Sequence, residues 1–377
     1  MLIKSLKAKS IKDSRSALTI EVSINGQKAS APSGKSTGKF ETHCYKKSLT
    51  SSINDINNLK ELIGFKITKF SDLQKIESLI KRKFHLSSAK QFGANTLIAL
   101  EIAALKALAQ SRSIPLWQII NPEARKFPTP LGNAIGGGLH SHNKEAPEFQ
   151  EFLIIPKGRT FKDKVELMTK IHKELSFILK STSLNDEGAW QTSLNNEQVL
   201  ETLSKFPQIK IGIDIAASSF YKKNKYNYKS KSLTTKQQIS YINNLIKRYN
   251  LYYIEDPLQE QDFSGFSKLS KKALITGDDL TATQISRLKK AFHSHSINAM
   301  IIKPNQNGSL IELKEIFQLC KKHKIKTILS HRSGETLDNA LADLAFGFQA
   351  DFIKTGIATK FRQAKLKRMI EIEKSLQ

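Results

Sequence analysis

Cysteine is nearly absent: the chain has two, Cys44 and Cys320, far apart. Two distant thiols exclude a disulfide framework and a cysteine-built zinc site, and they suit a reducing, cytoplasmic setting. Long apolar runs are missing too. No window offers the roughly 18 uninterrupted apolar residues of a membrane span, and the opening MLIKSLKAKSIKD holds no run that reads as a secretory leader. The most apolar stretch, residues 95–109, carries Glu101 and Lys106 and reads as a core-facing helix. Acidic residues are scarce, 34 against 60 Lys and Arg, which leaves a net charge of +26. That charge invites a polyanionic partner such as nucleic acid. The lysines are nevertheless scattered, as in KKNKYNYKSKS and KKHKIK, with no block of interleaved aromatics and no nucleic-acid module signature. A diffusely solvated basic surface is the better reading. Low-complexity linkers and sequence repeats are also lacking.

What is present is a soluble, core-forming composition: 377 residues, 39% hydrophobic and 25% charged. That length accommodates a large domain and a smaller one. The first third mixes an alternating strand, residues 18–24, with helical periodicity over residues 72–84 and 96–111. Residues 121–130, NPEARKFPTP, hold three prolines and mark the boundary. The expected division is an N-terminal α+β domain, residues 1–122, and a catalytic β/α domain, residues 123–377. Beyond the boundary, short apolar strands each end in a polar residue and are followed by a helical pattern. Their ends fall near Asp214, Glu255, Asp278, Lys303, His331 and Lys354. Strands alternating with helices indicate parallel β/α architecture. Six consecutive strands delivering ionisable groups to one end favour a closed β/α barrel, whose chemistry sits at the C-terminal strand ends, over an open doubly wound sheet.

Asp214, Glu255 and Asp278 come from three successive strand ends. Converging carboxylates repel unless they protonate or a cation sits among them. All-oxygen ligands favour a hard divalent ion, with magnesium first. The plainer alternative, that each caps a helix or pairs with a lysine, loses ground when three occur in register. Lys303 and Lys354 directly follow apolar strands, in IIK and FIK, and are candidate bases whose pKa nearby positive charge would lower. Glu151 and Glu187 are candidate general acids, although alone each would read as a turn or strand-edge carboxylate. His331 is followed by Arg332 and Ser333, donors of the kind a phosphate requires. His140 lies in the glycine-rich loop IGGGLHSH. The pairs His140/His142 and His293/His295 read as surface histidines rather than metal ligands. SGKSTG, residues 33–38, resembles the end of a Walker loop, but the required upstream glycine is Ala29.

The segments SGKSTGKFE, FGANTLIALEIA, GGGLH with QEF, NDEG, IGIDIAASSF, IEDP, GDDLTAT, IIKPNQNGSL, LSHRSGET and IKTG resemble enolase motifs in enolase order. They run from about Asp13 to the end of the chain. The resemblance implies an N-terminal domain capping a C-terminal barrel, and the reversible dehydration of 2-phosphoglycerate to phosphoenolpyruvate. It implies Asp214, Glu255 and Asp278 as magnesium ligands, with Ser36 on a closing loop at a second, substrate-dependent Mg²⁺. Lys303 takes the place of the base at C2, and Glu187, with Glu151 beside it, the place of the acid at the C3 hydroxyl. Lys354 matches the lysine on the substrate carboxylate, Arg332 and Ser333 the phosphate binders, and His140 and His331 active-site histidines. A lysine base acting beside magnesium is the established pattern of this superfamily. The sequence departs from the family pattern at Ser16-Ala17-Leu18, at Ala189-Trp190-Gln191-Thr192 and in SHNKEAPEF, all in loops around the site. A paralogue of altered activity, an acid-sugar dehydratase or racemase of the same superfamily, or a basic binding protein are the competing readings. The resemblance also implies a homodimer. Aligned on that pattern, Lys9 meets Lys374 and Glu21 meets Glu371, like-charge pairs that weaken the expectation.

Overall fold

The structure, a computed structural model, describes residues 1–34, 38–141, 143 and 145–376, with the side chain of His140 excepted. Strands β1 (Leu6–Lys12), β2 (Leu18–Ile24) and β3 (Gln27–Ser30) form an antiparallel meander. In β2, Ile20, Val22 and Ile24 alternate onto one face and are fully buried there, as a two-residue side-chain period dictates. The β2–β3 turn is Asn25-Gly26, both at positive φ, which matches the twist of a tight hairpin. The helix Ala94–Ser111 covers this sheet. It is apolar nearly all round and is accordingly buried nearly all round. Within this chain Lys9 pairs with Glu21 at 3.4 Å and Glu371 with Arg368 at 3.2 Å.

The barrel is built from β4 (Thr129–Gly136), β5 (Glu151–Pro156), β7 (Ile209–Asp214), β11 (Tyr253–Glu255), β12 (Leu274–Gly277), β13 (Ala299–Ile302), β14 (Lys326–Ser330) and β15 (Phe352–Lys354). Pairing of β15 with β4 closes the ring, as expected of a β/α barrel. The short β6 (Trp190–Gln191) adds to β4 outside the ring, and β8 (Tyr221–Lys222), β9 (Lys225–Asn227) and β10 (Ser232–Leu233) form a separate small sheet. Barrel neighbours are parallel except for β5, which runs antiparallel to both β4 and β7. Inside the ring, Leu131, Leu153, Ile155, Tyr253, Ile301, Ile328 and Phe352 pack as an apolar plug. The interior is thus filled rather than a pore.

Register then sets the level of the polar groups. Glu151 pairs with Asp214, Asp214 with Glu255, and Ser330 with Lys354. Asp278, Lys303 and His331 each follow the last residue of their strand. The N-terminal domain meets the barrel beside this ring. Ser33 and Gly334 exchange two backbone hydrogen bonds of 2.8 Å, and the Ser14 amide donates to Glu335 O at 2.7 Å. A side chain at Gly334 would collide with the side chains of Asp13 and Ser33, which would have to shift.

Candidate active site

A cavity of about 290 Å³ opens at the strand ends. Glu151, Glu187, Asp214, Asp278, Lys303, His331, Arg332, Ser333 and Lys354 all line it. Nine of the residues singled out from sequence are therefore brought together. Glu255 lies just beneath them, with no exposed surface. Ser36 falls outside the described residues. The His140 backbone forms one tight turn, Gly138–His140, and its side chain also lies outside the described set.

Lys354 is the hub of the floor. Its Nζ lies 2.8 Å from Glu151 Oε2, 2.8 and 2.9 Å from the two Glu255 oxygens, and 3.6 Å from Asp214 Oδ2. Burial works against the ammonium, but the three carboxylates outweigh it and hold its pKa well above the lysine range. Burial, reinforced by Glu255, pushes the Asp214 carboxyl well up despite Lys354. Burial does the same to Glu151, where the Glu187 carboxylate adds both its charge and a hydrogen bond. Two acids bonded to each other must share a proton, because a carboxylate alone has no donor. Beneath this level the Tyr253 hydroxyl donates to Glu255 Oε2 at 2.6 Å.

Lys303 stands on the other side, with Nζ 2.5 Å from Asp278 Oδ2, and Gln306 Nε2 donates to Asp278 Oδ1 at 3.2 Å. Burial lowers the Lys303 pKa, but with Asp278 as its partner the net effect is a rise; positive charge placed beside it would act in the opposite direction. The reciprocal effect lowers Asp278 against its own burial.

His331 is buried and neutral. Burial and then the Arg362 guanidinium push its pKa well below the ordinary histidine value. Arg362 Nη1 donates to His331 Nδ1 at 2.7 Å. Arginine has no proton-free form to offer, so the histidine proton sits on Nε2, which faces Glu187 Oε2 at 3.9 Å. Asn133 Nδ2 donates to the same Glu187 oxygen at 3.4 Å. Arg332 makes a two-pronged contact with Glu41, at 2.8 and 3.2 Å.

Asp256, Asp278 and Asp279 also form a tight acidic group. Both Asp256 oxygens are already engaged, accepting from the Asp278 and Asp279 amides at 3.0 and 2.7 Å. Asp256 therefore shapes the turn after β12. Burial and the adjacent Asp278 push Asp279 up to about 7.

Sequence models of two families match the chain, "Enolase, N-terminal domain" over residues 3–120 and "Enolase, C-terminal TIM barrel domain" over residues 124–377. The chain belongs to the enolase family. Curated relatives named enolase cover nearly the full length. That of Archaeoglobus fulgidus is 35% identical, spanning 99% of this chain and 97% of its own. That of Picrophilus torridus is 36% identical over 99% of both chains, and that of Ehrlichia ruminantium 34% over 99% and 96%. Membership makes the chain a lyase of the phosphopyruvate hydratase type. Enolases use Mg²⁺, and Asp278 belongs to an acidic cluster, with Asp256 and Asp279, that could hold a metal. The fit rests on the donor set. Asp214, Glu255 and Asp278 offer only oxygen, are buried, and with Glu151 outnumber the lysines among them. No helix among the described residues is long and apolar enough to cross a membrane.

Sequence reading of this enolase missed Arg362, Glu41, Asn133 and Tyr253. Arg362 lies in KFRQAKLKR, where cationic residues at this density read as a solvated face, yet it has no exposed surface. Tyr253 did carry a signal, because it precedes Glu255 by two on the same strand and must share its face.

Proposed function

We propose that this enolase catalyses the reversible dehydration of 2-phosphoglycerate to phosphoenolpyruvate, with residues 123–377 as the catalytic barrel and residues 1–122 as its cap. The observation that carries this reading is the opposition across the cavity. Lys303 stands on one side, and the hydrogen-bonded Glu187–Glu151 pair on the other. Lys303, once its own proton is lost, suits taking one, and the Glu187–Glu151 pair, in which Glu151 is pushed toward its protonated form, has one to give.

In the forward direction the C2–H bond breaks and its proton passes to a neutral Lys303 Nζ. The C3–O bond then breaks as Glu187 delivers its proton to the departing hydroxyl, so water leaves and the C2–C3 double bond remains. Afterwards Lys303 is charged and Glu187 is a carboxylate, and exchange with solvent resets both. Lys354 holds the substrate carboxylate from below, while Arg332 and Ser333 hold the phosphate. Arg332 is paired with Glu41 in this structure, so the phosphate must share or replace that contact. Neutral His331 faces Glu187 with its Nε2 3.9 Å from Oε2 and adds no charge beside that acid.

Asp214, Glu255 and Asp278 would hold Mg²⁺, with Ser36 at a second ion. Bound there, the metal would supply positive charge that offsets Asp278, eases proton loss from Lys303 and favours negative charge on the substrate carboxylate. The two free cysteines suit a cytoplasmic setting.

The test is phosphoenolpyruvate formation from 2-phosphoglycerate with Mg²⁺, for wild type and Lys303→Ala. Turnover is expected in the wild type, abolished by EDTA and reduced by roughly 10²–10⁴-fold by the substitution. Folded wild-type protein that is inactive at saturating Mg²⁺ defeats the proposal, and turnover of an unphosphorylated acid sugar would replace it.

A further inference from the structure

Glu187 stands in a loop that braces itself. Asn185 Oδ1 accepts from the Glu187 and Ala189 amides, each at 3.0 Å. The Gly188 amide donates to Asn185 O, and the Asn185 amide to Ala189 O, both at 2.9 Å. Gly188 has φ +81°, a value glycine adopts without strain. These bonds fix the loop's shape but not its place. Its place depends on what grips it from outside.

On the C-terminal side of Glu187 the chain is laddered to β4 only from Trp190 onward, opposite Ile135 and Gly136, and nearer the acid one helix residue grips it. His172, buried in the helix Phe161–Ile178, has its Nε2 2.9 Å from Gly188 O. A carbonyl only accepts, so Nε2 carries the proton. Burial lowers the His172 pKa, which keeps the ring neutral. The backbone carbonyl of the same histidine accepts from Trp190 Nε1 at 2.7 Å. The two rings stack at 5.2 Å with 25° between their planes. Three contacts from His172 thus hold the residues on either side of Ala189, one peptide away from the acid. Among the described residues, Arg362 Nη2 also reaches Asp186 O, at a long 3.5 Å, and Asn133 Nδ2 reaches the Glu187 carboxyl itself at 3.4 Å.

We propose that His172 and Trp190 form a positioning clamp that sets where Glu187 stands, and therefore the rate of the step in which it gives its proton. Neither side chain lines the cavity. Both act through the loop. The clamp rests on the reading of Glu187 as the acid. It predicts a particular kinetic pattern: loosening the loop displaces one reacting group and leaves the metal floor and the phosphate contacts untouched. A misplacement near 1 Å costs up to about 100-fold in rate.

The experiment compares wild type with His172→Leu, His172→Gln and Trp190→Phe. His172→Gln keeps an N–H donor near Gly188 O, and Trp190→Phe keeps a stacking ring but loses the indole bond. Readouts are kcat, KM, the Mg²⁺ concentration for half-maximal activity, and acrylamide quenching of tryptophan fluorescence. The chain has two tryptophans, and Trp117 is 2% exposed, so quenching reports Trp190. For His172→Leu, kcat should fall by about 10–100-fold, while KM and the Mg²⁺ requirement stay near wild type and quenching rises. His172→Gln should recover most of kcat, and Trp190→Phe should fall between. The clamp is overturned if quenching rises while kcat holds. It is equally overturned if kcat, KM and Mg²⁺ requirement all worsen together, since that marks general loosening. Should His172→Leu fail to fold, an unchanged kcat in Trp190→Phe overturns it alone. An inactive wild type would instead defeat the enolase reaction, and quenching would still report whether the loop is held.

Discussion

Replacing Lys354 with methionine tests the account of the barrel floor in the absence of any substrate. The substitution removes the ammonium shared by Glu151, Glu255 and Asp214, all at most 4% exposed. Removing one partner from a buried ionic contact costs about 3–5 kcal/mol, because the remaining charge loses its compensation in a medium that solvates it poorly. Unfolding entropy near 60 °C is about 2.1 cal/mol/K per residue, or roughly 0.8 kcal/mol/K for this chain. The melting midpoint should therefore drop by about 4–6 °C. The pH dependence follows from the directions of the shifts. Lys354 is raised when folded, so its contribution is complete below the unfolded lysine value of about 10.4 and fades only as pH climbs through the higher folded value. At pH 8 the full loss is expected. As pH falls, Glu151 and Asp214, both raised, take up protons and no longer need the cation, so the loss should shrink toward pH 5. Calorimetric melts in EDTA at the two pH values measure this directly. Midpoints within 1 °C at pH 8, or a larger loss at pH 5 than at pH 8, would refute the reasoning.

Gly334→Ala should disturb the junction between the domains, since the added carbon meets Asp13 and, at 2.6 Å, the Ser33 hydroxyl. Overpacking of this kind costs about 1–3 kcal/mol, and steady-state kinetics should show KM rising as the Ser33 bridge shifts. Asp72→Asn probes a carboxylate that receives the Thr68 amide at 2.7 Å, the Thr68 hydroxyl at 2.8 Å and the Lys75 ammonium at 2.9 Å. The Lys75 contact, together with the Thr68 bonds, holds its pKa below the carboxylate range despite its burial. Its contribution is present above the unfolded value of about 3.9 and is lost as pH falls through the lower folded one, so wild-type and variant melting points should differ at pH 7 and converge in strong acid.

Much of the site was readable because a barrel converts sequence order into spatial order. A polar residue at the end of each apolar strand needs only closure of the ring to meet the others, and Asp214, Glu255, Asp278, Lys303, His331 and Lys354 do so. The strand Leu18–Ile24 and the helix Leu73–Lys83 were readable for a similar reason, since their apolar period matches the face they bury. What stayed hidden depends on contacts made across the chain. The rise in Lys303 pKa comes from Asp278, and a spacing in sequence does not say which strand-end carboxylate will lean toward which lysine. Arg362 reaches His331 from the last helix, and Glu41 reaches Arg332 from the other domain. His172 belongs to the same class, because nothing in FKDKVELMTKIHKELSFI announces a partner beyond the helix.

The reversed direction of β5 has a consequence for how such an enzyme can change. In a uniformly parallel barrel, every segment at the mouth leads onward into a helix. Here the chain between β4 and β5 leaves the mouth and returns to it as a hairpin, and its return delivers Glu151 from the first residue of a strand rather than the last. Insertions and deletions between Gly137 and Gln150 can therefore reshape the entrance while both ends stay fixed by ladder pairing. The sequence departure SHNKEAPEF lies within that segment. A change of length in this rim segment would therefore bear directly on Glu151, a carboxyl that lines the cavity.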